Sequence, residues 1–208
     1  MKIDHSGSPI VVIPRYVPYI VAEKFARANV SWLKKHMSQS QLRYIDSGAR
    51  IGQRHTVRFE RNCTKLGSTV KSDIIHVRVP LGLTLNDPKV QAEARKASIR
   101  ALKKEANEVL PSMIHALAQQ YGYKYSAVRV KTMRSRWGSC SSNGDIALSI
   151  WLMQVPDELK RYVLCHELAH LNHPHHKSSF WSAVEVMVPN YKTVRDGLKQ
   201  FNPDLNLT

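Results

Sequence analysis

The chain has 208 residues, 43% hydrophobic and 23% charged, which is enough for one large or two small domains with a real core and is ordinary for a soluble globular protein. No apolar run approaches the ~20 residues that span a bilayer, and residues 10–13 are too short an apolar core for a signal peptide, so no membrane association is expected and the cytoplasm is the expected compartment. Three cysteines (Cys63, Cys140, Cys165) form an odd set without framework spacing and read as reduced thiols.

Residues 10–13 have the length of a short buried strand, closed by Pro14. Pro18 then introduces a predicted helix over residues 19–36, striped by Ile20, Val21, Phe25, Ala28, Trp32 and Leu33. After a Ser/Gln-rich break at residues 38–41 the pattern turns to strand. Residues 56–60 and 75–79 alternate, and the polar connection 62–72 between them, with Gly67, predicts a hairpin. Arg58, Lys65, Lys71, His76 and Arg78 belong to its outer face or tip. Such a face, basic and poor in aromatics, suits phosphate contacts better than base stacking.

Asn86-Asp87-Pro88 is a helix start, and residues 90–110 read as a long basic amphipathic helix. Pro111 is expected to kink or interrupt it before a second segment reaching Tyr121-Gly122. The domain boundary is placed here, giving a basic N-terminal strand/helix region at 1–87 and a second domain at 88–208.

The net charge of +15 is unevenly spread. Residues 1–130 hold 22 Lys and Arg against 9 Asp and Glu (+13), whereas residues 131–208 hold 9 against 7 (+2). A basic N-terminal region of this kind suits nucleic acid as a partner; a solubilising surface without a partner is the other reading, with equal weight.

Farther on, residues 128–130 alternate as a strand. Residues 137–140 lead through a turn at 142–145 into a returning partner strand at 146–149. Pro156 and Asp157 then open an amphipathic helix of about four turns. It carries His166-Glu167-Leu168-Ala169-His170, an H-E-x-x-H pattern. Two histidines four apart stand one above the other on a helix face, where both can ligate one Zn²⁺. Glu167 sits one step round the helix, placed to take a proton from water on the metal. Cys165 points off that face.

The third ligand is sought among His173, His175 and His176. Seven residues of helix advance about 10 Å, which excludes His173 while the helix stays straight. Pro174 disfavours helix at His173, so the chain is expected to turn there. His176 lies six residues beyond His170, the spacing at which a longer form of the motif returns its third histidine, and is the chosen ligand. That form carries a glycine where this chain has His173.

Four pieces of residues 136–198 carry a family resemblance: Arg136-Trp137-Gly138-Ser139-Cys140, residues 144–148, the run 166–171, and His176 followed by Phe180-Trp181. With Pro189-Asn190-Tyr191-Lys192, this block resembles the YgjP-like zinc metallopeptidases, relatives of the SprT-like proteases. The resemblance implies an α+β fold: a zincin-like catalytic domain, with an active-site helix and a small antiparallel sheet, preceded by a small basic α/β N-terminal region. It implies Zn²⁺ on His166, His170 and His176, Glu167 as catalytic base, and a polypeptide substrate lying along the edge of the 137–149 hairpin. It also implies that the long helix packs behind the active-site helix through Ile114, Leu117 and Ala118. Ser149 departs from the Asn the family commonly carries. Kinship with SprT-like proteases suggests DNA-associated substrates. Two other functions fit the motif: metal-dependent hydrolysis of a nucleotide phosphoanhydride, and nucleic-acid binding with a structural zinc completed by His173 or Cys165.

Overall fold

The first ladder of the chain is short: β1 (Lys2–Ile3) pairs antiparallel with β2 (Pro9–Ile10), and α1 (Tyr19–Ala28) follows. The computed structural model describes residues 2–3, 9–14, 16–31 and 44–204, which divide into two units, 1–44 and 45–208. Of the strand expected at 10–13 only Ile10 is in a ladder; apolar content makes no strand without a partner for the backbone groups. The predicted continuation of α1 over residues 32–36 lies outside the described residues.

In the unit 45–208, β3 (Arg50–Ile51), β4 (His55–Cys63), β5 (Gly67–Lys71) and β6 (Ile74–Pro80) form one sheet in the order β3-β4-β6-β5. This corrects the hairpin expected between the two alternating segments. They run parallel, Val57 opposite Ile75 and Phe59 opposite Val77. The connection supplies a strand of its own, β5, which pairs antiparallel with β6. Thr69 and Val70 give β5 its strand character. Ser72, in the left-handed region at φ 49°, makes the tight turn into β6.

Val57, Ile75, Val77 and Val79 point inward and are buried, and they meet α2 (Pro88–Tyr121), which lies across β5 and β6. Asp87 caps α2 by accepting the Lys89 N–H at 2.8 Å. Val90, Ala94, Ala97 and Ala101 line its buried face, and small side chains let the helix sit close on the sheet. The interruption expected as one outcome at Pro111 does not occur: α2 continues through it. An internal proline costs about 3 kcal/mol, while burying Leu102, Leu110 and Ile114 contributes about 1.5–3 kcal/mol each. Packing wins. Gly122, in the left-handed region at φ 72°, ends the helix.

The second sheet holds β7 (Ala127–Lys131), β8 (Gly138–Cys140) and β9 (Asp145–Ser149) in the order β7-β9-β8. β7 runs parallel to β9. The expected hairpin is present, with Gly138 opposite Leu148 and Cys140 opposite Ile146, and it leaves β8 at an edge. A buried 3-10 turn (Ile150–Gln154) leads into α3 (Asp157–Ala169), followed by α4 (Ser178–Met187) and α5 (Tyr191–Leu198).

α3 is buried on most of its circumference by Leu159, Tyr162, Val163, Leu164 and Leu168, so it runs through the core. It packs on α2, where Ile114, Leu117 and Ala118 are buried as expected. One hydrophobic cluster joins both sheets, α2 and the last three helices. The boundary expected near residue 88 falls inside this unit, at the start of α2. These helices and mixed sheets make an α+β fold, as the sequence predicts. No helix among the described residues is long and apolar enough to cross a membrane.

Candidate metal and active site

Three imidazoles converge where α3 ends. His166 and His170 project from its last turn, their ring centroids 4.9 Å apart. The chain leaves the helix there: the His173 N–H donates to the Ala169 carbonyl at 3.0 Å, and Pro174 prevents continuation. The turn brings His176 back, 4.7 Å from His170 and 5.0 Å from His166 between centroids. One nitrogen from each ring lies within 4.8 Å of the others. His175 and Cys165, the neighbours that sequence weighed, stand outside this group; Cys165 is wholly buried in the core, and burial raises its thiol to about 11.

The donor set fits a divalent metal. Nε2 of His176 and Nε2 of His166 are 3.1 Å apart, close to the ~3.3 Å between two tetrahedral ligands of one zinc with bonds near 2.0–2.1 Å. Burial, aided by the other two histidines, drops the His166 pKa to about 3, so the ring stays neutral with a lone pair to offer. Burial also lowers His170. Its Nδ1–H donates to the His173 carbonyl at 3.2 Å, which fixes the tautomer and leaves Nε2 as the donor atom. Sequence weighed His173 as a ligand; its backbone carbonyl orients the His170 ring instead.

Aromatic packing holds the cluster from below. Phe180, fully buried, lies 4.9, 4.6 and 4.6 Å from the rings of His166, His170 and His176. Trp181 stacks on His176 at 5.6 Å and 24°, and Tyr191 stacks on Trp181 at 5.3 Å and 13°. Tyr191 is thus a packing partner two rings from the cluster.

Glu167 is 5% exposed, and its Oε2 is buried without a hydrogen-bond partner. Such an orphan is rare in a native fold. Burial raises its carboxyl to about 8, with Arg136 pulling the other way. β8 runs so close to it that only glycine fits at residue 138: a Cβ there would lie 2.5 Å from Oε1. Arg136-Trp137-Gly138 therefore serves Glu167 directly, a role that spacing could not reveal. Ser149, the departure from the family pattern, is buried and donates to the Met133 carbonyl at 3.2 Å.

Arg136, Trp137 and Gly138 also border a cavity of about 380 Å³, with His166 and Glu167 on its inner wall and Tyr162, Arg195, Leu198 and Phe201 around it. Sequence did not place Arg195, Leu198 or Phe201 at the site. Of the basic residues predicted for the first sheet, Arg58, Lys65, Lys71 and Arg78 are exposed, while His76 contacts Glu60 at 2.6 Å.

The family model described as "YgjP-like, metallopeptidase domain" matches residues 1–201. Among solved structures, the chain is similar to the metallopeptidase zymogen of Pyrococcus abyssi abylysin, at 27% identity and a TM-score of 0.40, over 44% of this chain and 93% of that one. No curated protein matches the chain.

Proposed function

The chain belongs to the YgjP-like metallopeptidase family, and we propose that it hydrolyses peptide bonds at a Zn²⁺ ion held by His166, His170 and His176, with Glu167 as general base. The observation that carries this reading is the pairing of three convergent imidazoles with an unpartnered, buried carboxylate one residue from the first. When bound, zinc supplies Lewis acidity toward the scissile carbonyl and lowers the pKa of a water ligand.

The chain's own residues do the rest. Oε2 of Glu167 has no protein donor to satisfy it, so it is free to accept the proton of the attacking water. Its raised pKa makes it a better base than an exposed carboxylate. The same property lets it pass that proton to the leaving amine. The Arg136 guanidinium favours its ionised form.

Main-chain binding fits β8. The Trp137 carbonyl accepts from Ser149 N–H at 2.9 Å, and Ser141 N–H donates to Asp145 O at 2.9 Å, so alternate residues are committed to β9. Gly138 and Cys140 then turn their backbone groups to the free edge, where an extended substrate can add as a strand. A structural-zinc role is less well supported, since the ligand group has no fourth side chain among the described residues.

DNA-associated proteins are the narrower substrate class we favour, because the charge divides +13 against +2 along the chain and Arg58, Lys71 and Arg78 are exposed.

The test is metal content by mass spectrometry together with cleavage of an unfolded basic protein, with and without DNA, beside Glu167→Gln and His176→Ala. One zinc per chain, cleavage lost in both variants and metal lost only in His176→Ala are the expected results. Cleavage surviving Glu167→Gln would remove the assigned base, and indifference to DNA at low salt would remove the DNA address.

A further inference from the structure

The cavity beside Glu167 has a composition that the hydrolytic chemistry does not require. Its walls are apolar, from Trp137, Leu198 and Phe201, yet two arginines, Arg136 and Arg195, also line it. Among the described residues neither arginine has a carboxylate within ion-pair distance. The third cation on the wall, Lys199, is already engaged by Asp196 at 2.7 Å. Among the described residues the one acid on the wall is Glu167, whose charge the two guanidiniums outnumber.

Arg195 carries the strongest signal. Its Nε is buried without a hydrogen-bond partner, although guanidinium donors are seldom left so. What holds it is a ring: Cζ lies 5.1 Å from the centroid of Trp181. Trp181 is in turn fixed between Tyr191 and His176. Cation–π attraction to a ring uses none of the guanidinium's N–H groups, and that planar fork matches a carboxylate in two-point geometry. An arginine needed merely for packing or net charge would gain by pairing with an acid; this one is positioned and left unpaired.

We infer that this cavity is a specificity subsite for a carboxylate on an apolar stem, taken up by Arg195 and Arg136 beside the bond to be cut. The side chain of a substrate glutamate and the α-carboxylate of a substrate's last residue share that chemistry. The assignment of the position next to the scissile bond rests on the peptidase reading above, since His166 and Glu167 form the inner wall. The carboxylate binding itself rests on the arginines.

Two measurements separate these claims. The first is binding of peptide pairs to the Glu167→Gln protein, followed by tryptophan fluorescence, because Trp137 lines the cavity and Trp181 carries Arg195. Each pair differs only by Glu against Gln, or by a free against an amidated C-terminus. One carboxylate source is expected to bind about tenfold tighter than its neutral twin, as a charge-assisted two-point contact allows. Arg195→Gln should bring that ratio close to one, Arg195→Lys should retain part of it, and Arg136→Gln, at an exposed position, should reduce it. Equal binding of all twins, or a ratio untouched by both glutamine variants, overturns the subsite. The second measurement maps cleavage sites in a mixed peptide pool with the unaltered enzyme. Carboxylate-dependent binding without any cleavage would overturn the peptidase reading and leave the subsite standing. Cleavage with no acidic residue or C-terminus favoured beside the cut would overturn its place in the reaction.

Discussion

Gly138 and Glu167 touch so closely that a Cβ on residue 138 would lie 2.5 Å from Oε1 and 2.7 Å from both Cδ and Cγ of the glutamate. Glu167 is buried and cannot swing into solvent, so Gly138→Ala must displace the carboxylate or the strand. Misplacing a catalytic group by about 1 Å costs on the order of 10²-fold in rate. We expect kcat to fall by about that factor, with zinc still bound, since the three histidines do not depend on residue 138. Steady-state kinetics beside metal analysis checks it; an unchanged kcat would show that Glu167 tolerates another position.

Phe180 lies under all three histidine rings at once and is fully buried. Phe180→Ala removes that floor, at a stability cost of about 3–5 kcal/mol. Loosened rings must be reordered on binding, and outer-shell support of this kind is worth about 10–100-fold in metal affinity. Competition with a chelator gives the affinity and denaturant melts give the stability. Phe180→Leu, which refills most of the volume, is expected to recover most of both. A zinc affinity unchanged in Phe180→Ala would mean the histidines hold their own geometry.

What the chain disclosed in advance follows from the range of each interaction. His166 and His170 share one helix face and Glu167 follows one step round it, so local periodicity sufficed to bring them together. His176 needed the turn that Pro174 imposes, which is still local. The parallel pairing of β4 with β6 was hidden because alternation specifies a face and not a partner; the short β5 lay in a segment whose Asn, Ser and Gly content reads as a connection. That Pro111 does not interrupt α2 was hidden because burial of its neighbours is a tertiary effect. The approach of Gly138 to Glu167, and of Arg195 to the same cavity, joins segments about thirty residues apart in sequence, beyond what any local periodicity reports.

Glu105 is a buried acid on α2, 1% exposed, that ties the start of the first sheet to the helix. It accepts the Gln53 N–H at 3.0 Å and contacts His55 Nδ1 at 3.1 Å, while Gly52, at φ 67°, passes directly over its carboxylate. Glu105→Ala strands a backbone donor and a buried imidazole, and we expect a loss of about 2–4 kcal/mol. Glu105→Gln keeps one acceptor and should lose less. The denaturation midpoint should drop at constant slope. Because Glu105 does not reach the histidine cluster, zinc affinity of the folded variant is expected to match the parent. A stability loss within 0.5 kcal/mol, about the size of a surface substitution, would show that water replaces the carboxylate at no cost.

Lys160 is wholly buried on α3, and its Nζ donates to Asp157 Oδ1 at 2.7 Å; Gln53 donates to the same oxygen at 2.7 Å. These hydrogen bonds, that from Lys160 first, hold the Asp157 pKa below its ordinary 3.8. A carboxylate with a depressed folded pKa contributes stability that is fully present above its unfolded value and is lost as pH falls through the folded one. The stability difference between the parent and Asp157→Asn should therefore be constant from neutral pH down to about 5, then shrink as pH drops below ~4. Asp157 is largely exposed on its far side, so its charge alone is worth little; most of the neutral-pH loss in the variant comes from leaving the Lys160 ammonium buried without its anion. Lys160→Met should accordingly recover stability in the Asp157→Asn background, by removing the stranded charge and filling its space. A pH-independent difference between parent and Asp157→Asn would exclude the ion pair as its source, and a double variant no more stable than Asp157→Asn would show that the buried ammonium finds compensation elsewhere.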